Sequence, residues 1–128
     1  MVLRRERLKL FEVVSETVTT VTLRSIQSVP AGKPDVQKIL SIANVTVSAT
    51  GTPLPNKVVI EGTATVQTIY VAALPDQPVH HMEHVISFLQ FADVPGTQPG
   101  MTVILKPRVK FSDIVIRSPR EVEIEVII

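Results

Sequence analysis

Alternation between apolar and polar positions is the main regularity of this 128-residue chain. One alternation runs through residues 57–70 and a second through residues 121–128. A period of two residues predicts strands with one face buried and the other in solvent. The apolar or small positions are Val58, Ile60, Gly62, Ala64 and Val66 in the first segment, and Val122, Ile124, Val126 and Ile128 in the second.

Two further features of the alternation carry predictions. After Gln67 the apolar positions shift by one residue, to Ile69 and Val71, which predicts a β-bulge in this strand. Residues 79–91 are also extended in pattern, and their apolar side chains fall on both faces. We therefore expect a strand that is covered on both sides at its C-terminal end. One face carries Met82, Ile86 and Phe88, and the other carries Val85, Leu89 and Phe91.

The remaining segments predict shorter or less regular strands. Residues 8–26 are rich in Val and Thr but polar on both faces, which favours an edge strand, and residues 1–28 form a candidate N-terminal strand arm. A proline-rich turn at residues 30–34 precedes an irregular strand at 35–42. A strand at residues 44–50 is expected to end at Gly51 and the turn at residues 53–56, and another spans residues 102–116, where Pro107 indicates an edge.

About seven short strands separated by turns predict an all-β domain. The expected architecture is an antiparallel β-sandwich or small open barrel, because no connection is long enough for helical crossovers. At 128 residues, with 45% hydrophobic residues, the chain is expected to form a single domain over residues 1–128.

Composition excludes several classes of function. A net charge of +1 and an aromatic content of 4% without Trp argue against a nucleic-acid-binding protein. The absence of Cys excludes disulfides, thiolate metal sites and a Cys nucleophile. No apolar run is long enough to span a membrane, and the N-terminus lacks the pattern of a signal peptide. We therefore expect synthesis in the cytoplasm without a signal peptide.

Three histidines form the one cluster that resembles a metal site. On a strand, His80 and His84 share a face with Met82 between them, whereas His81 and Glu83 point the other way. This division separates the ligands, so His80 and His84 are weak metal candidates. Structural or solvent-exposed histidines, and a pH-responsive contact between subunits, are the alternatives.

No constellation of catalytic residues is apparent, and no cofactor is expected. The carboxylates Asp76, Glu83 and Asp93 are separated by strand and turn, and Ser87 lacks the glycines of a nucleophile elbow. The glycines do not form a phosphate-binding loop. We therefore predict a protein without enzymatic activity, and a cation-dependent hydrolase is the weakest alternative.

The basic residues Lys106, Arg108 and Lys110 alternate along their strand and are complementary in charge to the sequence EVEIE at residues 121–125. Pairing of these charges across strands within one molecule is one explanation. An outer strand face in solvent, an anionic partner and the glutamates of a neighbouring subunit are the others.

Both ends of the chain are rich in strand-forming residues and could pair with another copy by β-augmentation, although pairing within the domain is the alternative. The predicted partner is a homo-oligomer or polymer. The candidate self-association residues are Leu10, Val13, Val18, Val21 and Leu23 near the N-terminus and Ile124, Val126 and Ile128 near the C-terminus.

Three segments together resemble the SPOCS domain family of endospore-forming bacteria: VPAGKPDVQKILSI (29–42), KVVIEGTATVQTIYVA (57–72) and DQPVHHMEHVISFLQFADVPGTQPGM (76–101). The resemblance implies a role in spore coat or envelope assembly, with other spore envelope proteins as partners. Family members can carry several copies before a LysM module that contacts a coat-morphogenetic ATPase. Here a single copy without LysM is seen, which favours a stand-alone structural subunit. The resemblance implies no catalytic residues.

The leading hypothesis is a non-enzymatic protein that self-associates through strand pairing into a spore-related layer or filament on the spore or cell surface. The alternative is a protein- or carbohydrate-binding module that uses the loops at residues 53–56 and 93–100.

Overall fold

A computed structural model describes residues 16–128, which form six β-strands and no helix. The all-β prediction is confirmed, with six strands in this range where about seven were expected. No helix of the described range is long and apolar enough to cross a membrane. The strands are β1 (Thr22–Ser28), β2 (Val36–Leu54), β3 (Lys57–Ala72), β4 (Val79–Asp93), β5 (Phe111–Ser118) and β6 (Glu121–Ile127).

Two three-stranded sheets pack face to face as a sandwich. The long sheet has the order β2-β3-β4, and the short sheet has the order β1-β6-β5. All neighbouring strands are antiparallel, as predicted. The apolar faces of both sheets meet in one core, which includes Tyr70, Met82, Val66, Val122, Ile124 and Val126.

Strand β3 lies at the centre of the long sheet, as its clean alternation suggests. The predicted bulge after Gln67 is wrong, because Thr68, Tyr70 and Ala72 continue the buried face without interruption. The register shifts lie instead in β2, the neighbouring strand of the same sheet, at three places between Val36 and Asn44. The shifts therefore correspond to the irregular strand that the sequence predicts for residues 35–42.

Strand β2 is longer than predicted. It continues through Gly51 and Pro53 to Leu54, so the segments expected at 35–42 and 44–50 are parts of one strand. Proline is tolerated because β2 is an edge strand, where a missing N–H need not interrupt a ladder. The turn begins only at residue 55 and uses Asn56 at a positive φ of 59°.

Strand β4 contradicts the prediction of two covered faces. Met82, His84 and Ile86 face the core. The opposite side chains of Val85, Leu89 and Phe91 are between 51% and 59% exposed within the described part of the chain. The apolar residues on this outer face therefore have no cover from residues 16–128.

The short sheet is built from segments far apart in sequence. Its middle strand is β6, with β1 on one side and β5 on the other. Of the strand predicted for residues 8–26, residues 8–15 lie outside the described range and residues 16–21 are not in a strand. The strand predicted for residues 102–116 begins only at Phe111.

Residues 102–110, called here the basic segment, cross the part of the long sheet near its β2–β3 turn. A Cβ atom placed on Gly51 would lie 2.6 Å from Cγ1 of Val103 and 3.3 Å from Cγ1 of Val58. The glycine therefore leaves room for this crossing. Substitution of Gly51 would push the basic segment away from the sheet.

Candidate functional site

The predicted self-association residues fall into four groups. Leu10 and Val13 lie outside the described residues. Val18 is 90% exposed in the segment before β1. The backbone of Val21 exchanges two hydrogen bonds with that of Ile128, with N···O distances of 3.0 and 2.9 Å. The remaining three side chains, Leu23, Ile124 and Val126, are buried in the core.

The position of β6 in the middle of the short sheet limits strand pairing between copies. Both edges of β6 are already paired, one with β1 and the other with β5. Another copy could pair with β6 only if one of those strands left the sheet. The alternative stated above, pairing of the two ends within the domain, describes the chain from Val21 onward.

The histidine cluster is divided between the two faces of β4, as predicted. His84 is 4% exposed, and its Nε2 lies 3.0 Å from the carbonyl oxygen of Ser28, so it links β4 to β1. His80 packs near Tyr70, with ring centroids 6.1 Å apart. Residues 16–128 contain no group of three or more His, Cys, Asp or Glu side chains placed to hold a metal ion.

One end of the sandwich is joined by Arg120, which lies in the turn between β5 and β6. Its guanidinium donates hydrogen bonds to the carbonyl oxygens of Lys33, Val29 and Pro30 at 2.5, 3.2 and 3.3 Å. It also pairs with Asp35 at 3.1 Å. The β1–β2 connection is therefore fixed to the opposite hairpin. Sequence reasoning missed this residue, because no local pattern distinguishes Arg120 from the other arginines.

Tyr70 supports the same end from inside the core. Its hydroxyl donates a hydrogen bond to the carbonyl oxygen of Pro34 at 3.0 Å, and the side chain is fully buried. Burial raises the pKa of Tyr70 above 10.0; the positive charge of Arg120 opposes this shift and the negative charge of Asp35 adds to it. The group holds the fold together and has no feature of a reactive site.

At the other end, the two loops predicted as a binding surface do come together. Asn56 accepts a hydrogen bond from the N–H of Gly96 through Oδ1 at 2.9 Å, and its own N–H donates to the carbonyl oxygen of Thr97 at 2.8 Å. Thr97 is buried. Asparagine tolerates positive φ better than most residues, which is the signal that could have identified Asn56.

The outer face of β4 carries the apolar row, defined as Val79, Val85, Leu89 and Phe91. These side chains are between 51% and 62% exposed. The cross-strand pairing of Phe91 with Val59 extends the apolar surface onto β3. His81, Glu83 and Ser87 interrupt the row on the same face, so Leu89, Phe91 and Val59 form its densest part. Exposed apolar side chains grouped in this way commonly mark an interaction site.

Charged groups on the short sheet pair differently from the prediction. Arg24 on β1 pairs with Glu125 at 2.5 Å, and Arg117 on β5 pairs with Glu123. Within residues 16–128, no carboxylate lies within ion-pair distance of Lys106, Arg108 or Lys110. Pairing of these cations with EVEIE inside one molecule is therefore wrong.

One depression lies on the outer face of the long sheet. A shallow, open depression of about 630 Å³ crosses the middle of the long sheet near Thr63 and Ser87. Glu61 is the one titratable side chain among its lining residues. A lone carboxylate there has no second acid or base with which to transfer a proton.

Comparison with known proteins gives one match. No curated protein and no solved structure is similar enough to this chain to count as a match. The family model described as "SipL, SPOCS domain" matches residues 35–117, from the start of β2 almost to the end of β5. This range contains the whole long sheet and well over half of the chain. The chain therefore belongs to the SipL SPOCS domain family.

Proposed function

We propose that the protein is a non-enzymatic structural subunit that associates with copies of itself in a sporulation-related assembly, such as a surface layer or filament. Membership of the SPOCS domain family supports the link to sporulation. We further propose that the chain is made in the cytoplasm and assembles on the spore or cell surface together with other envelope proteins.

The apolar row on β4 is the observation that carries self-association. Burying one large apolar side chain is worth about 1.5–3 kcal/mol, so a surface with several of them loses free energy by staying in water. The row lies on a sheet whose other edge strand, β2, presents Thr46, Ser48, Thr50 and Thr52 on the same side. Apolar and polar stripes of this kind restrict how a second copy can approach.

Strand pairing between copies stays a prediction for the N-terminal region. Leu10 and Val13 belong to residues 8–15, whose sequence is rich in strand-forming residues. Val18 is well exposed and outside any strand. These three residues remain the candidates for β-augmentation, since the other five contact their own domain.

Substituting the apolar row tests the proposal. We expect the wild-type protein to sediment as species larger than its 14.0 kDa mass. The double variant L89D/F91D should raise the concentration needed for half-maximal association at least about 100-fold, because two apolar contacts are lost. The control variant T46D/T52D adds the same charge to the polar stripe of the same face and should associate like wild type.

Circular dichroism melting of each variant would show that the exposed substitutions leave the fold intact. A wild-type protein that remains monomeric at every accessible concentration would contradict self-association. Equal association of L89D/F91D and wild type would show that the apolar row is not the contact.

The second candidate function is a protein-binding module that uses the joined loops at residues 53–56 and 93–100. The hydrogen bonds of Asn56 with Gly96 and Thr97 favour it, since they hold both loops in one position before a partner arrives. Neither loop contains an aromatic residue, so a protein partner fits better than a carbohydrate. Electron microscopy of negatively stained protein distinguishes the functions, because a monodisperse monomer favours this second one.

A further inference from the structure

The basic segment presents an ordered column of exposed side chains. Val103 and Leu105 are half-buried, Ile104 is 75% exposed, and residues 106–110 are all exposed. The segment therefore shows one exposed apolar residue followed by three exposed cations at every second position of the sequence.

Strand β6 presents a column of the opposite sign. Glu121, Glu123 and Glu125 alternate with the buried residues Val122, Ile124 and Val126, so the three carboxylates point away from the core. Ile127 follows them on the same face. Because β6 is the middle strand, this acidic column runs along the centre of the outer face of the short sheet. Its glutamates occupy every second position of the sequence, as the three cations of the basic segment do.

Within one molecule the two columns adjoin at Lys110, whose N–H donates a hydrogen bond to the carbonyl oxygen of Ile127 at 2.8 Å. No ion pair joins their side chains within residues 16–128. The basic segment lies over Gly51 and Val58 of the long sheet. The acidic column faces outward on the short sheet, where Arg24 and Arg117 pair with Glu125 and Glu123. Each of these glutamates uses only Oε2 in its ion pair, so Oε1 can still accept a hydrogen bond. Glu121 has no ion-pair partner in the described range.

The two columns have complementary order when they run antiparallel. The basic segment reads Ile, Lys, Arg, Lys at positions 104, 106, 108 and 110, and β6 reads Ile, Glu, Glu, Glu at positions 127, 125, 123 and 121. We infer that the basic segment of one copy binds along the acidic column of a second copy, so that each cation faces one glutamate and Ile104 contacts Ile127. This inference rests on the proposed self-association and adds a second pair of contact surfaces beside the apolar row.

Apolar contacts accompany the charges at this surface. Ile26 on β1 and Val115 on β5 flank Glu123 in the same cross-strand row, and they are 60% and 51% exposed. Ion pairs between exposed groups contribute little on their own, but burial beside apolar side chains lowers the screening by water. The charges set the register, and the isoleucine and valine side chains add burial.

A second copy fits the basic segment better than a nucleic acid does. The chain carries only three cations here and no aromatic residue between positions 102 and 110 to stack on a base. Its own β6 supplies the matching number of carboxylates, likewise at alternate positions of the sequence. Because the two surfaces differ, a bound pair of copies leaves one surface of each kind free. Head-to-tail association of this type produces a ring or an open filament.

Paired charge reversals test the inference. The variant K106E/K110E reverses the basic segment, and E121K/E125K reverses the acidic column. Each variant alone should associate at least about tenfold more weakly than wild type, because like charges then face each other. An equimolar mixture should regain association, since each variant then offers the surface that the other needs.

The control K38E/K57E makes the same number of lysine-to-glutamate changes at exposed positions on β2 and β3. It should associate like wild type. Sedimentation velocity at about 0.05 M and about 0.5 M NaCl adds a second readout, because the higher salt shortens the screening length and should weaken the wild-type contact. Circular dichroism melting verifies that every variant is folded.

The outcomes separate this inference from the proposed function. If wild type associates but the mixture fails to recover, the charged columns are not the contact and self-association through another surface stands. If wild type associates and each single variant matches it, the inference is equally overturned. A wild-type protein that is monomeric at both salt concentrations would overturn both.

Discussion

Replacing Tyr70 by alanine should lower the free energy of unfolding by about 3–5 kcal/mol, the usual cost of removing a large aromatic side chain from a core. Tyr70 is fully buried and belongs, with Val66, Ala72 and Met82, to the shared core of both sheets. The substitution leaves a cavity and also removes the hydroxyl that bonds to Pro34. Urea denaturation followed by circular dichroism would measure the loss.

The variant Y70F separates the hydroxyl from the ring. It keeps the packing and should cost only about 1 kcal/mol, the value of one hydrogen bond. A loss for Y70F as large as that for Y70A would show that the hydrogen bond to Pro34, and not the cavity, dominates.

The raised pKa of Tyr70 also predicts a pH dependence. In the folded protein burial favours the neutral phenol, so the unfolded chain loses this proton first as the pH rises. The contribution of Tyr70 to stability is therefore complete below about pH 10 and is lost as the pH rises further. Wild type should lose stability relative to Y70F in this alkaline range, which melting curves at several pH values would show.

Replacing Arg120 by alanine should have the second large effect. We expect it to lower the free energy of unfolding by about 2–4 kcal/mol. Hydrogen bonds from a charged donor contribute about 1.5–3 kcal/mol each, and partial exposure of this side chain reduces the sum. The variant leaves the carbonyl oxygens of Lys33, Val29 and Pro30 without this donor. Chemical denaturation would measure this change in the free energy of unfolding.

The matched control is R117A, which lies three residues earlier and forms a single surface ion pair with Glu123. Exposed pairs contribute at most about 1 kcal/mol, so R117A should stay close to wild type. Equal effects of the two substitutions would show that Arg120 does not join the two ends of the sandwich.

The regular strands could be predicted from their sequence because one physical cause, the burial of every second side chain, determines them. In β6 and in β3 as far as Gln67, alternation alone predicts which face is buried, and the structure buries Ala64, Val66, Val122 and Ile124 as expected. The antiparallel sandwich followed from short connections. The family resemblance also agreed with the family model that matches residues 35–117.

The errors arose where tertiary structure overrides the local pattern. The apolar residues Ile69 and Val71 suggested a bulge in β3, but they lie on the outer face while Thr68 and Tyr70 occupy the core. Leu89 and Phe91 looked like core residues because hydrophobicity alone does not reveal which face lacks a neighbour.

The ion-pair partners of the charged residues could not be predicted from the sequence, for a different reason. The complementarity between Lys106, Arg108 and the glutamates of β6 was visible, but their separation in space depends on which sheet each segment joins. The partner of Glu125 is Arg24, about one hundred positions away in the chain. Pairings between distant segments become visible only when the strand order is known.

The order of strands in the short sheet has a consequence for biosynthesis. Its central strand, β6, is translated after all the other described strands, and β1 must wait for it through the synthesis of the intervening chain. The β2–β3–β4 hairpins can form on the ribosome much sooner, since their contacts are local. The nascent protein therefore passes through a stage in which the inner face of these hairpins is open to water, and chaperones that protect such intermediates would act then.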